Sequence, residues 1–251
     1  MTLTPLLQAR GVKKIFGHIT ALRGADFAIY PGETVSLVGD NGAGKSTLMK
    51  VLCGVYQPDG GEMLMHGQPI HFRTPRHAIA AGVSVVHQNL ALVDGRDITH
   101  NIFLGAELTK GPFVDRRRME RETQDLLNRL RLKMGPHVLV GELSGGQRQS
   151  IAIARAIHQG GHLTIMDEPT AALGVQEQAK VLQIIRDLKE AGVAVIMVSH
   201  NMEHVFQVSD RIVVLRGGAI AADLRREDTT PQEIVQYITG AKVLPQQEAV
   251  A

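Results

Sequence analysis

Short apolar runs alternate with amphipathic stretches along most of the chain. Four runs, at residues 34–38, 83–86, 163–166 and 193–198, are nearly continuous in apolar side chains, the pattern of strands covered on both faces. Between the last two, residues 175–190 place Val181, Leu182, Ile185 and Leu188 on one side and Gln183, Arg186, Lys189 and Glu190 elsewhere. That periodicity predicts a helix with one face on a sheet, stopped at Gly192. Strand and helix patterns in alternation predict an α/β fold with a largely parallel sheet.

Two regions differ. Up to Ile29, the apolar residues Val12, Ile15, Ile19, Leu22, Phe27 and Ile29 are broken by Gly11, Gly17 and Gly24, which predicts antiparallel strands and turns. Residues 88–159 carry helical patterns, at 116–130 and 146–159, with few strand runs. They read as a helical insert in an α/β core made from about 1–87 and 160–240. A turn at Arg216-Gly217-Gly218 leads on to a last helix at 231–238, and residues 242–251 are expected to fray.

Composition narrows the class. The chain has 251 residues, 44% of them hydrophobic, enough for an ordinary core. The formal net charge of +2 leaves no basic footprint for nucleic acid, and Arg116-Arg117-Arg118, followed by Glu120 and Glu122, reads as a solvated helix start. A single cysteine, Cys53, excludes an internal disulfide framework and sits among apolar neighbours as a small hydrophobe. The first ten residues lack a signal-peptide pattern, and no apolar run approaches the roughly 18 residues of a membrane span. The expected location is therefore the cytosol, with any membrane work done through a partner.

Three motifs carry chemistry. Gly39-Asp40-Asn41-Gly42-Ala43-Gly44-Lys45-Ser46, followed by Thr47, fits G-x-x-x-x-G-K-[ST] between an apolar strand and a helix at 46–53. Its glycines let backbone N–H groups turn toward phosphate oxygens, the helix start adds partial positive charge, Lys45 reaches the β/γ-phosphates and Ser46 ligates Mg2+. Second, the run at 163–166 ends in Asp167-Glu168, an acid to hold Mg2+ and a second to polarise an attacking water as general base. Third, Leu143-Ser144-Gly145-Gly146-Gln147 precedes an apolar helix, a second anion cradle in one chain.

Together these motifs resemble the ATP-binding subunit of ATP-binding cassette (ABC) transporters, whose signature is the LSGGQ sequence at 143–147. The resemblance spans nearly the whole chain. It implies a single nucleotide-binding domain over 1–251: a RecA-like P-loop NTPase core with a mainly parallel sheet, an N-terminal antiparallel β subdomain and an inserted α-helical subdomain. It implies a homodimer in which Ser144, Gly145, Gly146 and Gln147 of one copy close in trans on ATP held by the other copy's P-loop. Phe16 resembles the aromatic that stacks on adenine. Gln88 resembles the glutamine that touches Mg2+ and senses a permease, which adds it to Ser46 and Asp167 as metal contacts. His200 resembles the switch histidine at the γ-phosphate. One departure stands out: Ala171-Ala172-Leu173-Gly174 replaces the family's Ser-Ala-Leu-Asp, which puts coupling between the two sites in question. Lys45, Gln88, Glu168 and His200 are all retained, so hydrolysis is expected to survive.

The phrases Gly39-Asp40-Asn41-Gly42, residues 86–90 (Val-His-Gln-Asn-Leu), residues 170–175 (Thr-Ala-Ala-Leu-Gly-Val) and Ser199-His200-Asn201-Met202 resemble simple-sugar importers, in particular the fructose-type subunit. That resemblance implies two permease subunits, a separate periplasmic sugar-binding protein and a peripheral position on the cytosolic face of the inner membrane. Competing expectations are an importer of another solute such as branched amino acids, an exporter motor, a soluble ABC ATPase acting on DNA or ribosomes, and a non-hydrolysing module. The absence of a coiled-coil insert and of a basic linker weighs against the DNA or ribosome reading.

Overall fold

Five strands at the centre run parallel, and their shared carboxyl edge organises the molecule. The computed structural model describes residues 4–243. Strands β1 (Leu7–Phe16) and β2 (Ile19–Ile29) form an antiparallel hairpin, followed by β3 (Thr34–Val38) and helix α1 (Lys45–Leu52). Then come β4 (Gly60–Met65), β5 (Gln68–Pro69), α2 (Pro75–Ala80) and β6 (Val83–Val86). The next segment holds α3 (Ile98–Ile102), a short hairpin of β7 (Thr109–Lys110) and β8 (Phe113–Val114), α4 (Arg116–Arg129) and α5 (Gly145–His158). The chain continues with β9 (Leu163–Asp167), α6 (Val175–Glu190), β10 (Ala194–Val198), α7 (Met202–Val208), β11 (Arg211–Arg216), β12 (Ala219–Arg225) and α8 (Pro231–Thr239).

The six-stranded sheet has the order β12-β11-β3-β10-β9-β6. All its pairs are parallel except β11–β12. Every residue of β3 and β10 is buried, as a strand with a layer on each face requires. Alternation then sorts the side chains. Val35, Leu37, Ile196 and Val198 join one core with α1 and the β1–β2 hairpin. Val38, Val195, Met197 and Met166 join the other with α5, α6 and α7.

The N-terminal strands belong to a second, antiparallel sheet of order β2-β1-β4-β5. Strands β4 and β5 had no clear sequence signal, because glycines and loop-like polar residues interrupt the run. Lys242, the first residue of the stretch expected to fray, donates its N–H to the Gln236 carbonyl at 3.1 Å and its Nζ lies 2.6 Å from Glu233 Oε1. Residues 244–251 of that tail lie outside the described residues.

Candidate functional site

The parallel strands end in step. Leu37 pairs with Val198 and Val213, Val198 pairs with Asp167, and Val86 pairs with Met166. The residues that follow each strand therefore meet at one edge, the ordinary ligand position of an open α/β sheet. There a cavity of about 990 Å³ is lined by Gly39 through Thr47, Gln88, Asp167, Glu168 and His200. Residues scattered over 160 positions of sequence thus share one pocket.

The P-loop glycines are set by close approach as well as by turning. Gly39 has φ +149° and a Cβ there would run into the Leu215 carbonyl oxygen. Gly44 has φ +106°, and a Cβ would lie 2.7 Å from the Ala21 carbonyl oxygen. Lys45 Nζ bends back over the loop, donating to Gly39 O at 2.6 Å and Asp40 O at 2.9 Å. Burial lowers the Lys45 pKa, opposed by the nearby charges of Glu168, Asp40 and Asp167. Burial raises the Asp167 carboxyl pKa, opposed by His87, Lys50 and Lys45. A half-buried acid with a raised pKa that shares the cavity with a lysine and a serine hydroxyl is a donor set that a divalent cation bound to phosphate would complete. The residues present therefore fit both the nucleotide and the metal.

Glu168 stands one residue beyond β9 in the left-handed region, φ +49°. Its N–H donates to Val198 O at 2.9 Å, which pins this strained conformation to the neighbouring strand. The turned backbone aims the carboxylate across the pocket mouth, where Oε1 lies 2.8 Å from His200 Nδ1. The His200 side chain is 79% exposed and Glu168 18%, so the pair joins an exposed group to a sheltered one.

One sequence expectation falls elsewhere. Phe16 does not line the cavity: its ring meets Tyr56 edge-on with centroids 5.0 Å apart, under Lys14 Nζ. Ile19, paired with Phe16 across the turn, lines the wall instead, with Thr20, Ala21 and Arg23. Sequence reasoning also missed Gly217 and Gly218, read only as a turn, which line the cavity beside that wall, Gly218 O accepting from Arg23 N at 2.7 Å. Ser144, Gly145, Gly146 and Gln147, expected to act in trans, lie outside this cavity. They form the first turn of α5, closed by a capping box: Ser144 Oγ accepts from Gln147 N at 3.3 Å and Gln147 Oε1 accepts from Ser144 N at 2.9 Å.

Glu177, unremarked in the sequence, accepts hydrogen bonds from Ser144 Oγ at 2.9 Å, Gly146 N at 3.2 Å and Gly174 N at 3.3 Å. The Ser144 hydroxyl, then the Gly174 and Gly146 amides, hold its carboxyl below the usual range.

Comparison with known proteins bears on this geometry. A protein family described as ABC transporter matches residues 22–171. The fructose import ATP-binding protein of Rhizobium meliloti is 44% identical, with 100% of each chain covered. A ribose import ATP-binding protein of Escherichia coli O157:H7 is 41% identical over 96% of this chain, which spans only 47% of that protein. Among solved structures, an ATP-binding cassette of an ABC transporter in its ADP conformation superposes with a TM-score of 0.81 at 24% identity, covering 95% of this chain and 96% of that one. A dimeric post-hydrolysis cassette bound to ADP and Pi gives a TM-score of 0.75 at 24% identity, covering 88% of this chain and 98% of that one.

Proposed function

The chain belongs to the ABC transporter family, and from that premise we propose that it is the ATP-hydrolysing subunit of a simple-sugar importer, working with membrane permeases. The observation that carries the reading is the single cavity in which the P-loop, Gln88, Asp167, Glu168 and His200 meet, with a second glycine cradle set outside it. None of the helices in the described residues is long and apolar enough to cross a membrane. The position proposed for the subunit, by its likeness to import ATP-binding proteins, is peripheral, on the cytosolic face of the inner membrane.

The chemistry follows from side chains in place. Lys45 exchanges its two loop carbonyls for phosphate oxygens, a substitution of acceptors that needs only side-chain rotation. Ser46, Asp167 and Gln88 would hold Mg2+. When bound, that ion neutralises charge on the phosphates. Glu168 accepts a proton from water as the water oxygen attacks the γ-phosphorus and the bond to the ADP oxygen breaks. His200, hydrogen-bonded to Glu168, keeps that carboxylate aimed at the pocket mouth. Asn41, Gly42 and Ala43 supply loop amides to the phosphates, and Thr47 borders them. Phe16 remains a candidate base-stacking group only if its ring leaves Tyr56.

The partner arrangement belongs to the same proposal. Two copies pair head to tail, so that Ser144 to Gln147 of one meet the nucleotide of the other, on two permease subunits fed by a periplasmic sugar-binding protein. No nucleic acid takes part. The test is a pull-down of tagged Glu168→Gln from gently solubilised membranes with ATP and Mg2+. A multi-span permease is expected, and its companion binding protein is then titrated with fructose, ribose, xylose and inositol. Recovery with nucleic acid or ribosomes and no permease would overturn the transport reading.

A further inference from the structure

Gln88 sits at the front of a loop, residues 87–96, that holds no helix or strand. Where its backbone polar groups go decides how firmly Gln88 is held. The rear of the loop is locked by Asn101 on α3. Its Oδ1 accepts from Val93 N at 2.7 Å, and its Nδ2 donates to the carbonyls of Val93 at 3.0 Å, Arg96 at 3.2 Å and Asp97 at 3.0 Å. Asn101 is 1% exposed, a closed and rigid clamp.

The front of the loop has a lighter hold of its own, one bond from the Ala91 amide to Asn89 Oδ1 at 3.3 Å. Ala91 is held in the left-handed region at φ +49°, a costly conformation for a residue with a Cβ. The carbonyls of Leu90 and Ala91 are met, among the described residues, by one side chain alone. Arg155 on α5 donates Nη2 to Leu90 O at 2.6 Å and Nη1 to Ala91 O at 2.8 Å. Further along, Arg148 on the same helix lies 2.5 Å from Asp94 Oδ1. The side-chain grip on the Leu90 and Ala91 carbonyls therefore comes from α5, the helix whose first turn is the Ser144–Gln147 cradle.

We infer that Arg155 is a positioning residue for hydrolysis: by forking onto Leu90 and Ala91 it sets Gln88 in the nucleotide cavity and ties that loop to the helix carrying the second cradle. This rests on the function proposed above. A guanidinium suits the task because its planar fork reaches two successive carbonyls, which an ammonium cannot do with the same geometry. Through one rigid helix, the position of Gln88 at a copy's own nucleotide is coupled to the cradle it offers its partner's nucleotide.

The test compares wild type, Arg155→Met, Arg155→Lys, Gln88→Ala and the double variant Gln88→Ala/Arg155→Met as full chains. Arg155→Met is expected to lower kcat about tenfold, with little change in KM for ATP, and Arg155→Lys to recover part of the loss. In the Gln88→Ala background, Arg155→Met is expected to have no further effect on kcat. Two readouts are independent of turnover. Hydrogen exchange of residues 89–94 should rise in Arg155→Met, and the gain in AMP-PNP affinity on adding Mg2+ should shrink. If Arg155→Met does not fold, Arg155→Lys carries the same comparisons. Additive losses in the double variant, or unchanged exchange at residues 89–94, would overturn the inference. A wild-type chain that hydrolyses no ATP would instead overturn the proposed function, and hydrogen exchange would still report whether Arg155 grips the loop.

Discussion

Glu168 is held in a backbone conformation that most residues avoid, and the cost is met by the β10 carbonyl that receives its N–H. Such strain is worth retaining only where the side chain must point one way. Glu168→Gln keeps the size and the conformation but cannot take a proton, so kcat should fall at least about 100-fold with ATP binding intact, as measured by single-turnover hydrolysis and nucleotide titration. Unchanged turnover would remove Glu168 from the role of general base. Gly39 makes the complementary point about backbone. Gly39→Ala forces a Cβ against the Leu215 carbonyl and should cost about 3 kcal/mol, a fall in Tm of roughly 6–12 °C by calorimetry.

Elements are joined by a few side chains of high consequence. Arg211 on β11 reaches Glu33 Oε1 at 2.8 Å, Asp223 Oδ2 on β12 at 2.6 Å and the Ala28 carbonyl of β2. Burial opposes its charge, but the two carboxylates outweigh that and hold its pKa above the usual value. Arg211→Met strands Glu33 and Asp223 and should destabilise the chain by about 2–3 kcal/mol in urea unfolding, leaving the nucleotide pocket chemically intact. Glu177 joins α5 to α6 in the same fashion. Its pKa is lowered in the folded chain, so its stabilisation is present above the ordinary glutamate value of about 4.3 and disappears as pH falls through the lower, folded value. The stability gap between wild type and Glu177→Gln should therefore be open at pH 7 and close on acidification; a gap independent of pH would mean that the carboxylate charge is not what links the helices. These links were invisible in the sequence. Strands β3, β6, β9 and β10 and helices α4, α5 and α6 were legible there because each has its own periodicity, and the P-loop and Asp167-Glu168 because each is contiguous. Glu177, Arg155 and Arg211 were not, because each has a partner 30 or more positions away, Ser144, Ala91 and Glu33, that only the fold brings near.

At the scale of the molecule, the site is a property of the sheet edge rather than of any one segment. A ligand that binds only the assembled edge stabilises the whole chain. ATP at about 100 times its Kd should raise stability by about 2.7 kcal/mol, seen as a higher Tm, and Lys45→Ala should abolish that shift. A Lys45→Ala chain that is stabilised as much as wild type would place the nucleotide elsewhere. The strand that leads into the P-loop, β3, has β10 and β11 as its two neighbours, Leu37 pairing with Val198 and Val213. Both arrive more than 150 positions later. A nascent chain leaving the ribosome therefore carries its complete P-loop sequence long before it owns a working one. Until residue 216 has been translated, Gly39 lacks the Leu215 backbone that packs against it, and an incomplete product is expected to be inert toward ATP instead of competing for it.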